Sequence, residues 1–84
     1  MKQINYSREA GRALKRIPQN WRKRIMSKIE QYAENPQSLA NNVIGMQGLP
    51  YYRLRVGDYR VIFDESDTVI AVIKVNSRGS VYIN

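Results

Sequence analysis

The chain is 84 residues long, with fourteen Lys and Arg against seven Asp and Glu, a net charge of +7 and a pI near 10.1. That length makes a single domain, residues 1–84, whose core is limited but needs no covalent staple. Cys and His are both absent, which excludes disulfides, thiolate or imidazole metal sites and the commonest general acid–base group, so any catalysis has to run on Arg, Lys, Tyr, Asp, Glu, Ser or Asn.

Ile4 and Tyr6 alternate about Asn5, predicting a short opening strand and not the charged-then-apolar start of a signal peptide. Ser7 is a good N-cap, and Glu9 follows in the first turn beside the positive end of the helix dipole. Ala10, Ala13, Leu14 and Ile17 recur at i, i+3, i+4, i+7, the pattern of an amphipathic helix that Pro18 ends. Asn20 is placed to cap a second helix with Trp21, Ile25, Ile29, Tyr32 and Ala33 as its apolar set, closing at Asn35-Pro36. A three-residue link between them implies an antiparallel helix hairpin. Residues 36–50 read as a loop or broken helical turn, tethered to the core by Leu39, Val43 and Leu49.

Strands are expected at Tyr52–Val56, Tyr59–Asp64, Val69–Asn76 and Ser80–Ile83. Val56-Gly57-Asp58-Tyr59 is a tight hairpin turn with glycine free to take a positive φ, and Asp64 to Thr68 a polar turn. Val69 to Ile73 is apolar at every position, as in a central strand covered on both faces. This run is far too short to span a bilayer, and a soluble, cytoplasmic protein is expected. The order β-α-α-β-β-β-β predicts an α+β domain, with the helix hairpin packed on one face of a small, mainly antiparallel sheet and the other face open.

The charge balance favours polyanions, and the arginines show where. Period-2 geometry puts Arg53 and Arg55 on one strand face, opposite Tyr52, Leu54 and Val56, and Arg60 lies just across the turn. Like charges facing each other across strands destabilise unless an anion offsets them. Arg78, in V-N-S-R-G-S-V-Y, follows the long apolar strand where a turn can return it to the sheet. Tyr82 is the candidate base: guanidinium groups favour a phenolate, which can take a proton from a ribose 2′-hydroxyl. Arg12, Lys15, Arg16, Arg22, Lys23, Arg24 and Lys28 make the helices basic, either as solvated outer faces or as a sequence-blind footing on RNA backbone. One of Tyr51 and Tyr52 should share the arginine face and stack on a base; the other packs in the core. Asp58, Asp64, Glu65 and Asp67 read as turn residues without metal-ligand spacing, and no Gly-rich phosphate loop points to a nucleotide cofactor.

Together, R-L-R-V-G-D-Y-R-V-I-F and V-N-S-R-G-S-V-Y, preceded by a second basic helix, E-N-P and G-L-P-Y-Y-R, resemble the RelE/ParE superfamily of type II toxins over essentially the whole chain. The resemblance implies the RelE-like α+β fold, an endoribonuclease that cuts mRNA on the ribosome by metal-free, cofactor-free 2′-hydroxyl attack, and a cognate antitoxin, acidic or DNA-binding, as partner. By motif it assigns catalysis to Arg53, Arg60, Arg78 and Tyr82 and matches Arg55 to a common family arginine; RNA binding is expected of Tyr51, Arg55, Lys74, Arg22, Lys23 and Lys28. Where well-known members carry a Lys two residues before Arg53, this chain has Tyr51, so the base is Tyr82 or Tyr51. The ParE branch of the same fold implies the alternative, inhibition of DNA gyrase without nuclease activity.

Overall fold

The computed structural model describes residues 1–77. The chain runs through β1 (Gln3–Tyr6), α1 (Arg8–Arg16), α2 (Gln19–Glu34), a 3-10 segment (Pro36–Asn42) kinked at Leu39, β2 (Val43–Gly45), β3 (Tyr52–Val56), β4 (Tyr59–Glu65) and β5 (Val69–Ser77). The strands form one sheet in the order β1-β5-β4-β3-β2. All neighbours are antiparallel except β1 and β5, which pair in parallel because α1 and α2 carry the chain from β1 at one sheet edge to β2 at the other, and β2 to β5 then return as an antiparallel meander. This is the expected α+β architecture. The expected strand at Ser80–Ile83 lies outside the described residues.

Local chemistry accounts for most boundaries. The Ser7 hydroxyl accepts from the Ala10 amide at 3.0 Å, capping α1. Ile17 is extended ahead of Pro18, as a residue before proline prefers. Pro18, and not Asn20, is the N-cap of α2: its extended backbone presents a carbonyl to the Arg22 amide at 2.9 Å, so the helix starts at Gln19 and the link is only Ile17-Pro18. Gly57 takes φ +58°, and β3 and β4 pair up to Val56 and Tyr59. A positive φ at the first of two loop residues is the pattern of a type II′ hairpin turn.

Fifteen side chains make one core between the helices and a single sheet face, among them Ile25, Leu54, Val61, Phe63, Ile70 and Val72. Leu39 and Val43 tether the 36–50 segment as expected. Leu49 does not: it is 52% exposed, at the end of a turn closed by its own amide on the Met46 carbonyl. The same segment contains an unexpected strand, β2, which pairs Val43, Ile44 and Gly45 with Leu54, Arg53 and Tyr52.

β5 corrects another expectation. Only Ile70, Val72 and Val75 are buried; Val69, Ala71 and Ile73 on the other face are half-exposed, so the strand is covered on one side. Its alternation also breaks. Ile62 pairs with Lys74 but Phe63 with Val72, leaving Ile73 as the extra residue of a β-bulge. The carbonyl of Ile73 accepts from the Ser7 hydroxyl at 2.6 Å, so the cap of α1 also satisfies the bulge. The inserted residue reverses the phase of the strand: Val75 enters the core, and Lys74 and Asn76 are turned to the open face.

Candidate functional site

Register builds the open face in two rows. One runs Arg55–Arg60–Asn76 and the other Ile44–Arg53–Ile62–Lys74, each crossing adjacent strands. Arg55 and Arg60 are direct cross-strand partners, an arrangement that costs about 0.2–1 kcal/mol between like charges. The only ion pair among the described residues is Lys2–Glu65, and no side chain of Arg53, Arg55, Arg60 or Lys74 is hydrogen-bonded to another described residue. Arg53 and Arg60 are half-buried, Arg55 and Lys74 exposed. Three guanidinium groups thus stand on the sheet without an ion pair among the described residues, their planar forks suited to a phosphate.

They line an open cleft of about 310 Å³ with Asn41, Asn42, Ile44, Gly57 and Asp58. Sequence reasoning missed the two asparagines and Ile44, because their place at the cleft depends on β2 pairing with β3, which a three-residue strand barely signals. Asp58, read as a turn residue, is in the turn and also on the cleft wall. Asn76 was missed with the bulge; the polar residues at 74 and 76 flanking buried Val75 were its available signal.

The remaining expected residues divide. Tyr51 precedes β3, half-buried, and its carbonyl accepts from the Met46 amide; it is not among the cleft-lining residues. Tyr52 stacks on Phe63 at 5.6 Å on the helix side but stays 39% exposed at the edge of the core, so the core packing expected of one of this pair is not reached. Arg22, Lys23 and Lys28 are on α2, away from the open face. Arg22 is tied down, with Nη2 donating to the Ile17 carbonyl at 3.2 Å and Nε buried without a partner. Lys23 and Lys28 line a second cleft that reaches Arg55 round the edge of the sheet. Arg78 and Tyr82 lie outside the described residues.

Among the other expected turn acids, Glu65 has a structural role. Its carboxylate accepts from Lys2 Nζ at 2.5 Å and from the Tyr32 hydroxyl at 2.8 Å, joining the N-terminus, α2 and the end of β4. Burial first, then this hydrogen bond and the carboxylate's charge, hold the Tyr32 phenol well above its ordinary pKa. Tyr6 is raised too, by burial and then by Glu30. Among the described residues no group of three or more acidic side chains is placed to hold a metal ion, and no helix is long and apolar enough to cross a membrane.

A family model, the ParE toxin of type II toxin–antitoxin systems (parDE), matches residues 4–82. No curated protein sequence matches. Among solved structures, the RelB–RelE antitoxin–toxin complex of Methanococcus jannaschii is similar at 30% identity and a TM-score of 0.76, over 94% of this chain and 95% of that one. The RelE–RelB complex of Pyrococcus horikoshii OT3 is similar at 27% identity and 0.75, over 93% and 96%. The intact Escherichia coli RelBE complex, at 20% identity and 0.76 over 92% and 96%, shares the fold.

Proposed function

The chain belongs to the RelE/ParE superfamily of type II toxin–antitoxin toxins, and from that premise we propose that it is a ribosome-dependent endoribonuclease that cleaves mRNA and so halts translation in the cytoplasm. The observation that carries this reading is the cleft in which Arg53, Arg55 and Arg60 gather, none of them in an ion pair with another described residue and with Asp58 the one described acid on its wall. A phosphodiester is the anion such a fork geometry fits best.

In the proposed reaction the ribose 2′-oxygen attacks the adjacent phosphorus, and the bond from phosphorus to the 5′-oxygen breaks. The products are a 2′,3′-cyclic phosphate and a 5′-hydroxyl. Tyr82 or Tyr51 takes the 2′-hydroxyl proton, and the 5′-oxygen departs beside the positive charge of Arg78 and takes up a proton from solvent water. Arg60 holds the scissile phosphate and stabilises the charge that builds on it, while Arg53 and Arg55 steady the neighbouring backbone and Lys74 extends the basic row. No metal or small cofactor is required by this scheme. The partner that silences it is a cognate antitoxin covering the basic face, a proposal supported by the antitoxin-bound state of the archaeal relatives.

The test is toeprinting of mRNA on translating ribosomes with purified toxin. Cleavage in the A site is expected, reduced about 100- to 1,000-fold by Arg60→Ala and about 100-fold or more by Tyr82→Phe if Tyr82 is the base. Undiminished cleavage by Tyr82→Phe would pass that role to Tyr51. The match to the ParE family model favours one other reading, gyrase inhibition. Intact A-site mRNA together with lost supercoiling activity of gyrase would establish it and overturn the nuclease.

A further inference from the structure

On the far side of the β3–β4 turn from the arginine cleft, α2 presents a second basic concavity of about 550 Å³. Lys23, Arg24 and Lys28 line it from the helix; Arg55, Gly57 and Asn42 line it from the sheet side. Those last three residues also line the arginine cleft, so the two are adjoining parts of one basic surface folded round the hairpin turn.

Several features fix this ledge in place. Trp21 stands against the turn, in contact with Tyr59 at a ring separation of 5.5 Å. A Cβ added to Gly57 would fall 2.5 Å from the Trp21 ring, so the absence of a side chain lets the indole seat directly on the turn. The Arg24 guanidinium lies 5.0 Å from the Trp21 ring centre, held by a cation–π contact. Helix, indole and turn therefore hold the ledge at a set position relative to Arg55 and Arg60. Among the described residues no acidic side chain lines the ledge. The Lys23 side chain has no hydrogen bond to another described residue, and the Lys28 side chain makes only a 3.4 Å contact with Gln31. Unlike Arg22, whose guanidinium is spent on the Ile17 carbonyl, these cations are available.

We infer that the Lys23–Arg24–Lys28 ledge is a second subsite for polynucleotide backbone, continuous with the arginine cleft through Arg55. The inference rests on the nuclease reading and deepens it: the toxin grips RNA on both sides of the hairpin turn, with chemistry on the sheet side and sequence-blind electrostatic anchorage on the helix side. An evenly charged polymer fits better than an acidic peptide, because one side chain, Arg55, serves both clefts and so favours a chain of anions crossing from one to the other. The backbone comes either from the cut strand itself or from ribosomal RNA beside it.

The experiment measures binding of the full chain to 2′-O-methyl RNA, which lacks the attacking hydroxyl, at lengths of about four and about sixteen nucleotides, and to ribosomes, over a range of salt. The double variant Lys23→Ala/Lys28→Ala is compared with the wild type and with Arg8→Ala/Lys15→Ala, which removes the same charge from α1. The expected result is unchanged binding of the short oligonucleotide. For the longer oligonucleotide or the ribosome, binding falls roughly 25-fold at about 0.1 M salt and the salt slope shrinks by about 1.4, with a much smaller loss in the α1 control. Loss on the long oligonucleotide identifies the cut strand as occupant; loss on ribosomes alone identifies ribosomal RNA. Unchanged affinity and slope on both, or a loss matched by the α1 control, overturns the ledge while leaving the nuclease reading intact. A wild type that binds neither RNA nor ribosomes overturns both.

Discussion

Arg55 and Arg60 face each other across the hairpin without an ion pair to any described residue, a local cost accepted by the fold. Tyr32 shows the opposite case, a polar group brought into the core with its partner. Its raised pKa means that the folded state keeps the phenol protonated while the unfolded chain ionises near pH 10. The stabilisation is therefore complete below about pH 10 and is lost as pH climbs from there through the higher folded-state value. Urea unfolding of the wild type between about pH 8.5 and 11.5 should show stability falling at the alkaline end, and Tyr32→Phe should flatten part of that fall. An equally steep decline in the variant would remove Tyr32 as its source. Much at this scale was legible in the sequence: Ser7 as cap, Gly57 as turn, the shared face of Arg53 and Arg55. Glu65 was not, because its partners Lys2 and Tyr32 are 63 and 33 residues away, and no local pattern records such pairings.

Elements were readable where one period dominates. β3 was expected at its observed bounds, and β4 and β5 were each expected to end one residue short of their observed ends. The short, irregular pieces were not readable: β2 has three residues, too few to establish an alternation, and its pairing is decided by β3. β5 failed differently. A run of five apolar residues carries no phase, so the bulge at Ile73 was hidden although it determines which face Lys74 and Asn76 occupy. Ser7 links this defect to α1 through two bonds, one from the Ala10 amide and one to the Ile73 carbonyl. Ser7→Ala should cost about 1–2 kcal/mol in chemical denaturation. Hydrogen exchange should quicken around residues 72–74 as well as in the first turn of α1. Faster exchange confined to the helix would mean that the bulge stands without Ser7.

At the scale of the whole molecule, +7 of net charge is carried with a single described ion pair. Self-repulsion then opposes the compact state, and screening relieves it. Raising ionic strength from about 0.01 to about 0.3 M should therefore raise Tm, where a protein held by surface ion pairs would lose stability. A flat or falling Tm would show that the cations are too well separated to matter. The part of that charge that lies on the open face and round the hairpin turn is what a polyanion or an acidic antitoxin would discharge.

By itself, the sequence determined the class of fold, the toxin superfamily and the arginine hairpin, because each is written in contiguous residues whose spacing and type carry the signal. Only the tertiary structure decided the rest of the site. Joining Asn41 and Asn42 to the arginines required β2 to pair with β3, turning Lys74 and Asn76 outward required a bulge, and bringing Lys23 and Lys28 near Arg55 required Trp21 to seat on Gly57. Each of these depends on contacts between distant segments, where burial and hydrogen-bond pairing, not local period, set the outcome.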